Sequence, residues 1–204
     1  MTQLAVPNHH AHYPAFSGVV GLVAALSMTV GRGDDARLAG RLGEVGPADA
    51  VADVGCGPGA AVRYAAALGA TVTGVDPAPV MLRVARMLTR NPASIAYLAG
   101  SAEQLPLEDD SVTMLWSIAT VHHWADVDAG LGEAGRVLRP GGRLVVLERR
   151  RKPEARGHAS HGWTDEQASA FAERGEEHGF VDIKVDRHRT PRGARLSVTG
   201  RAAL

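Results

Sequence analysis

The stretch Val51-Ala-Asp53-Val-Gly55-Cys-Gly57-Pro-Gly59 constrains this chain more than any other. Val51 and Val54 are β-branched and apolar, as a strand buried on both faces requires. Glycines then alternate at Gly55, Gly57 and Gly59. They permit backbone angles that a Cβ forbids and let a ligand approach the main chain closely. The run from Ala60 to Leu68 reads as a helix whose first N–H groups face the loop. A strand, a glycine turn and a helix in that order form the usual ligand crevice of an open α/β sheet. Cys56, the single cysteine, cannot form an internal disulfide, which points to an intracellular setting. Inside so tight a turn it reads as a small residue rather than a nucleophile.

Gly55-x-Gly57-x-x-Ala60 formally fits the dinucleotide fingerprint, and Asp76 follows about 20 residues on, where a ribose-binding acid belongs. Two details point to another ligand. Asp53 precedes the first glycine at the strand tip, where a carboxylate meets a cationic group, and Gly59 comes one residue early for the dinucleotide pattern.

Strand and helix patterns alternate after the loop. Ala70–Val75 reads as a strand ending at Asp76, and Pro77 and Pro79 open a helix whose apolar positions run to Leu88. Ile95–Leu98 and the near-continuous apolar run Val112–Ile118 are further strands, separated by the loop Gly100–Pro106. The segment Val121-His122-His123-Trp124 leads into a helix from about Asp126 to Leu138. A turn, Arg139–Gly142, precedes a fifth strand over Arg143–Glu148. Residues 149–163 form a basic, irregular connection. Thr164-Asp-Glu-Gln167 is a capping box that starts a helix to about His178. Phe180–Arg187 and Ala194–Thr199 read as a closing antiparallel hairpin. Strands alternating with helices imply a doubly wound sheet.

Upstream, Phe16, Val19, Val20, Val23, Leu26 and Val30 recur at helical spacing, as in a core-docked or lid helix. Ser17, Gly18, Gly21, Ser27 and Thr29 interrupt it too often for a membrane span, and no Lys or Arg precedes it as in a secretory signal. Asp34 or Asp35 can cap the next helix, which carries Leu38 and Leu42. The tract Asn8–Pro14 holds His9, His10, His12 and Tyr13, either a frayed tail or an arm folded over a site. The 204 residues suit one domain, and the formal net charge of zero gives no bulk drive toward nucleic acid or membrane. Arg149–Lys152, with Arg187, Arg189, Arg192 and Arg195, is a solvated basic edge or, less simply, an RNA surface.

The glycine loop, Gly74-Val-Asp76, Gly100-Ser-Ala-Glu-x-Leu-Pro106, His122-His-Trp124 and Gly135-Arg-Val-Leu-Arg-Pro-Gly-Gly142 together resemble the class I S-adenosylmethionine (SAM)-dependent methyltransferases. The resemblance is to their small-molecule branch, which includes ubiquinone and menaquinone biosynthesis enzymes. It runs from about residue 47 to 148. It implies an α/β fold with a doubly wound, seven-stranded, mostly parallel sheet of order 3-2-1-4-5-7-6, the last strand antiparallel, under an N-terminal helical lid. A single domain would then span 1–204: an arm and helices over the site (1–46), a SAM-binding half (47–148), and an acceptor-side connection, helix and hairpin (149–204).

The resemblance also implies roles. Gly55, Gly57 and Gly59 would pack under the methionyl part of SAM, Asp53 would help anchor its amino group, and Asp76 would accept both ribose hydroxyls. Ala102 would contact the adenine edge through its N–H. Relatives often carry an acid at the position of Ser101, so either its hydroxyl or Glu103 would take the adenine amino group. Ser117 would meet the amino group of SAM through its carbonyl.

Methyl transfer needs an in-line approach of the nucleophile to the sulfonium methyl, and a hydroxyl nucleophile also needs a base. His122 and His123 lie where the acceptor should sit, as base or as scaffold. The acceptor pocket should draw on His9, His10, His12, Tyr13 and Trp124, with His158, His161 and Trp163 from the connection. Aromatics are only 4% of the chain, which suits a polar, hydroxylated acceptor such as a sugar better than a flat ring. The expectation is therefore a cytoplasmic O-methyltransferase of a small molecule, monomeric or homodimeric, with neither nucleic acid nor membrane as partner. C- or N-methylation of a quinone-type metabolite, a nicotinamide oxidoreductase and a non-catalytic SAM-fold protein are the alternatives. A divalent metal such as Mg is compatible with a histidine-rich site, but no ligand spacing specifies one.

Overall fold

Seven stretches become the strands of one sheet: β1 (Ala50–Val54), β2 (Thr71–Asp76), β3 (Ile95–Ala99), β4 (Val112–Ile118), β5 (Leu138–Arg149), β6 (Phe180–Thr190) and β7 (Gly193–Ala202). Five helices join them: α1 (Gly33–Leu42), α2 (Ala60–Ala67), α3 (Pro79–Leu88), α4 (Val127–Val137) and α5 (Asp165–Glu177). These are elements of a computed structural model that describes residues 33–204, with only the backbone described at His158 and Ala159. The spatial order is β3-β2-β1-β4-β5-β7-β6. Pairings from β3 through β5 are parallel, and β7 runs antiparallel to both β5 and β6. Order and direction are those the resemblance implied. The N-terminal stripe Phe16–Val30 and the residues His9, His10, His12 and Tyr13 lie outside the described residues.

Side chains in a strand point alternately to the two faces, and each central strand here feeds two cores in turn. Val51, Met114, Trp116, Val145 and Leu147 pack with Leu38 of α1, Val62 of α2 and Leu82 of α3. Ala52, Leu115, Leu144 and Val146 pack on the other side with Leu131 of α4 and Phe171 of α5. Helices on both faces explain why β4 is almost wholly apolar and buried: it has a strand on each side and a helical layer above and below. Strand order reverses at β1, which pairs in parallel with β2 on one side and β4 on the other. That switch point opens a crevice at the carboxyl ends of the strands.

The capping box forms as expected: the Thr164 hydroxyl accepts from the Gln167 N–H, and the Gln167 side chain accepts from the Thr164 N–H. Three local expectations change. The glycine turn at Arg139–Gly142 is not a break before β5 but a bulge within it, because Leu138 already pairs with Val112 before Arg143 pairs with Met114. The closing hairpin is longer than its apolar positions indicate. β6 is the edge strand, so Lys184, Asp186, Arg187 and Arg189 remain in it without burial. Asp34 and Asp35 sit inside the first turn of α1 rather than before it, and the buried Asp35 pairs with Arg195 of β7 at 2.8 and 3.1 Å. Among the described residues no helix is long and apolar enough to cross a membrane.

Candidate active site

At the end of β1 the chain turns onto β2. The N–H groups of Gly55 and Cys56 both donate to the carbonyl of Val75, at 2.8 and 3.0 Å. Gly55, Gly57 and Gly59 all take left-handed φ angles, of 76°, 52° and 75°, yet they serve different ends. A Cβ on Gly55 would come within 2.7 Å of the Thr120 side chain, and one on Gly59 would run into the Tyr97 ring. A Cβ on Gly57 would meet nothing within 4 Å. Two glycines thus make room for protein, and the middle one faces open space.

Asp76 borders that space from the tip of β2. Its Oδ2 accepts the Gly57 N–H at 2.8 Å and its Oδ1 the Ala78 N–H at 2.9 Å. The carboxylate is fixed by backbone donors, and a carboxylate accepts about four hydrogen bonds in all, so it keeps acceptor positions for a ligand. Buried Asp53 lines a small cleft with Gly55, Cys56, Pro58, Ala60, Ala61 and Ile118, between the loop and the end of β4. The open space at Gly57 beside Asp76, and the small cleft that Asp53 lines, together fit a ligand with a ribose and a cationic amino acid part. Burial pushes the Cys56 thiol far up, and the charges of Asp53 and Asp76 push it further. It is a neutral packing residue, as its place in the turn suggested.

Past β4, the Ser117 hydroxyl pairs with Thr120 at 2.5 Å, and Thr120 donates to the Val54 carbonyl at 3.0 Å. This strap joins the ends of β4 and β1. Ala102 is buried in the short turn that Ser101 and Gln104 close. The Glu103 carboxylate accepts from the Ala125 and Asp126 N–H groups at 2.7 and 3.3 Å, holding the entry to α4.

His122 and His123 lie on a short 3-10 turn, Val121–His123, beyond the strap. His122 is buried, and its Nδ1 lies 3.0 and 2.9 Å from the two oxygens of Glu148, which is fully buried at the end of β5. With the carboxylate accepting from Nδ1–H, the ring's other nitrogen, Nε2, is left for another partner. The His161 ring stands 5.5 Å from both the His122 and the His123 ring, centroid to centroid. Trp124 follows the two histidines. It is 6% exposed and packs edge-on against Phe171 and over Gly130, as part of the core. Glu148 was not foreseen, although a signal was there: like Asp53 and Asp76, it is an acid closing an apolar strand at the carboxyl edge of the sheet.

Comparison with known proteins gives the same picture. Residues 52–146 match the family described as a methyltransferase domain. A malonyl-[acyl-carrier protein] O-methyltransferase of Serratia marcescens is 39% identical over 143 residues, 69% of this chain and 52% of the relative. A demethylmenaquinone methyltransferase of Tropheryma whipplei is 39% identical over 98 residues, 48% of this chain and 41% of the relative. The chain thus spans about half the length, or less, of these curated relatives. A SAM-dependent methyltransferase structure from Aquifex aeolicus superposes with a TM-score of 0.73 at 15% identity, over 89% of this chain and 98% of that one. The strand order and the match over residues 52–146 agree: that stretch is similar to a methyltransferase domain, and the fold is that of the class I SAM-dependent methyltransferases.

Proposed function

We propose that the protein transfers the methyl group of SAM to a hydroxyl oxygen of a small, polar acceptor such as a sugar. The observation that carries this reading is the buried His122–Glu148 pair at the edge of the sheet that also holds the cofactor cradle. A hydroxyl must lose its proton on methyl transfer, and a histidine oriented by a buried carboxylate can take it.

Bound SAM supplies an electrophilic methyl on a sulfonium. In this reading Asp76 receives the ribose hydroxyls, Asp53 the ammonium, the Ala102 N–H the adenine edge and the Ser117 carbonyl the amino group. Oε1 of Glu103 accepts from the Ala125 and Asp126 N–H groups, so the adenine amino group falls to the Ser101 hydroxyl or to the other oxygen of Glu103. The histidine cluster activates the acceptor hydroxyl, and Glu148 sets the orientation of His122.

Calorimetry with S-adenosylhomocysteine tests the cofactor half, with micromolar binding expected. Transfer of labelled methyl from SAM to a panel of polyols and sugars tests the acceptor half. Glu148→Gln is expected to lower kcat by about tenfold to a hundredfold while S-adenosylhomocysteine affinity holds. A second reading, esterification of a carboxylate, draws on the Serratia relative's name and on a basic cleft of about 340 Å³ lined by Arg149, Arg150, Arg151, Lys152 and Arg192. A carboxylate is already ionised and needs no activation. Turnover with an acidic acceptor that survives Glu148→Gln would select this second reading.

A further inference from the structure

We propose that His122, His123 and His161 bind one divalent transition-metal ion on the acceptor side of the cofactor crevice. One ligand nitrogen from each of the three lies within 4.8 Å of the others. Nitrogens held tetrahedrally at about 2.1 Å from zinc stand roughly 3.4 Å apart, so modest rotation of the half-buried His123 and His161 rings closes the set.

The surroundings are those of a built site. Metal-bound histidines commonly donate their other N–H to a carboxylate, which fixes the ring and raises its basicity. Glu148 does this for His122 through both oxygens, at 3.0 and 2.9 Å, and it is fully buried. His161 comes from the 149–163 connection, and β5 pins the backbone around it. The Arg149 Nε donates to the His161 carbonyl at 3.1 Å, the Trp163 N–H to the Arg149 carbonyl at 2.9 Å, and the Arg151 N–H to the Trp163 carbonyl at 2.8 Å. Between them Gly162, at φ 102°, packs directly on the Arg149 carbonyl, where a Cβ would collide. His161 is thereby fixed opposite a pair of residues some forty positions earlier in the chain, which is why sequence spacing could not announce the site.

The donor set chooses the metal. Three neutral imidazoles suit zinc, cobalt, nickel, iron or copper, and not magnesium, which takes oxygen ligands. Three protein ligands leave at least one position open, the pattern of catalytic rather than structural zinc. The role rests on the function proposed above: a hydroxyl in the open position becomes more acidic. With its free nitrogen on the metal, His122 acts through the metal and not as the base, and the proton leaves to solvent. The O–CH3 bond then forms as the S–CH3 bond breaks, with the electron pair remaining on sulfur to give the thioether.

The test uses the full chain, freed of metal with a chelator and titrated with Co2+ and Zn2+. Wild type is expected to bind one equivalent, with the visible absorption of low-symmetry Co2+. His161→Ala should lose that spectrum while retaining its melting temperature and its affinity for S-adenosylhomocysteine. Glu148→Gln should weaken metal affinity about tenfold to a hundredfold. A variant with His9, His10 and His12 all changed to Ala should keep the site. Absence of stoichiometric binding, an unchanged spectrum in His161→Ala, or loss of binding in the N-terminal variant would overturn the proposal. Methyl transfer that persists in metal-free protein without Co2+ binding would leave the proposed function standing and remove only the metal. Metal binding without methylation of any hydroxyl acceptor would do the reverse.

Discussion

Gly57 and Gly55 differ by two positions and share a left-handed backbone, but opposite surroundings give them opposite tests. Gly57→Ala adds a methyl group to open space, so its structural cost is the left-handed conformation, about 1–2 kcal/mol. Its larger expected effect is on the ligand: S-adenosylhomocysteine affinity should fall tenfold or more while the protein still melts cooperatively. Gly55→Ala drives a methyl into Thr120 and breaks the strap to Val54. Its melting temperature should drop more than that of Gly57→Ala, and thermal melts of the two side by side check this. The motif made three equivalent glycines legible; only packing distinguishes them. Cys56 gives a second prediction at this scale. Burial and two neighbouring carboxylates hold it as a thiol, and the thiolate is the reactive form. Alkylation by iodoacetamide should therefore be slow in the folded protein and become fast on unfolding, as mass spectrometry would show.

Among the elements, α4 shows how a helix holds a loop. Glu133 accepts from the Leu105 N–H at 2.7 Å and pairs with Arg136, which in turn reaches the Leu105 and Leu107 carbonyls and Asp109. The Arg136 hydrogen bond is the main cause holding the Glu133 carboxyl below its ordinary value near 4.5. A depressed folded-state value means that this stability is present above the unfolded pKa and lost as pH falls through the folded one. Glu133→Gln should therefore be less stable than wild type at pH 7, with the gap closing as denaturation is measured below about pH 4. The elements themselves were readable where local signals were complete. β4 runs from Val112 to Ile118 as its apolar run indicated, and Thr164 caps α5 through the box visible in four residues. Boundaries were lost where the deciding partner lay elsewhere. Leu138 joins β5 because Val112 is beside it, and the polar half of β6 is held only by β7. The candidate site failed in the same way: the cofactor loop is contiguous and was legible, whereas Glu148 reaches His122 across 26 positions.

Across the whole molecule, one buried ion pair spans nearly the full described chain. Asp35 in α1 and Arg195 in β7 meet at 2.8 Å, 160 positions apart, and both are buried. Removing one partner of such a pair strands a charge, at a cost of about 3–5 kcal/mol. Asp35→Ala should lower the melting temperature sharply, and Asp35→Leu combined with Arg195→Met should recover much of the loss. If the single variant were neutral in a thermal melt, the pair would not be a fastening between α1 and the end of the sheet. The sheet order was legible because each strand has its own signal and the family resemblance supplied the crossing pattern. No run of residues encodes a contact between one terminal region and the other.

The carboxylate of Asp76 grips the Gly57 and Ala78 amides from between the loop and α3. One group is thus both a structural tie and the expected seat of the ribose. Under the proposed function, loop order and ribose binding are a single coupled equilibrium, and coupling of this kind is reciprocal. Whatever loosens the loop weakens the ligand, and whatever ligand sits on Asp76 stiffens the loop in equal measure.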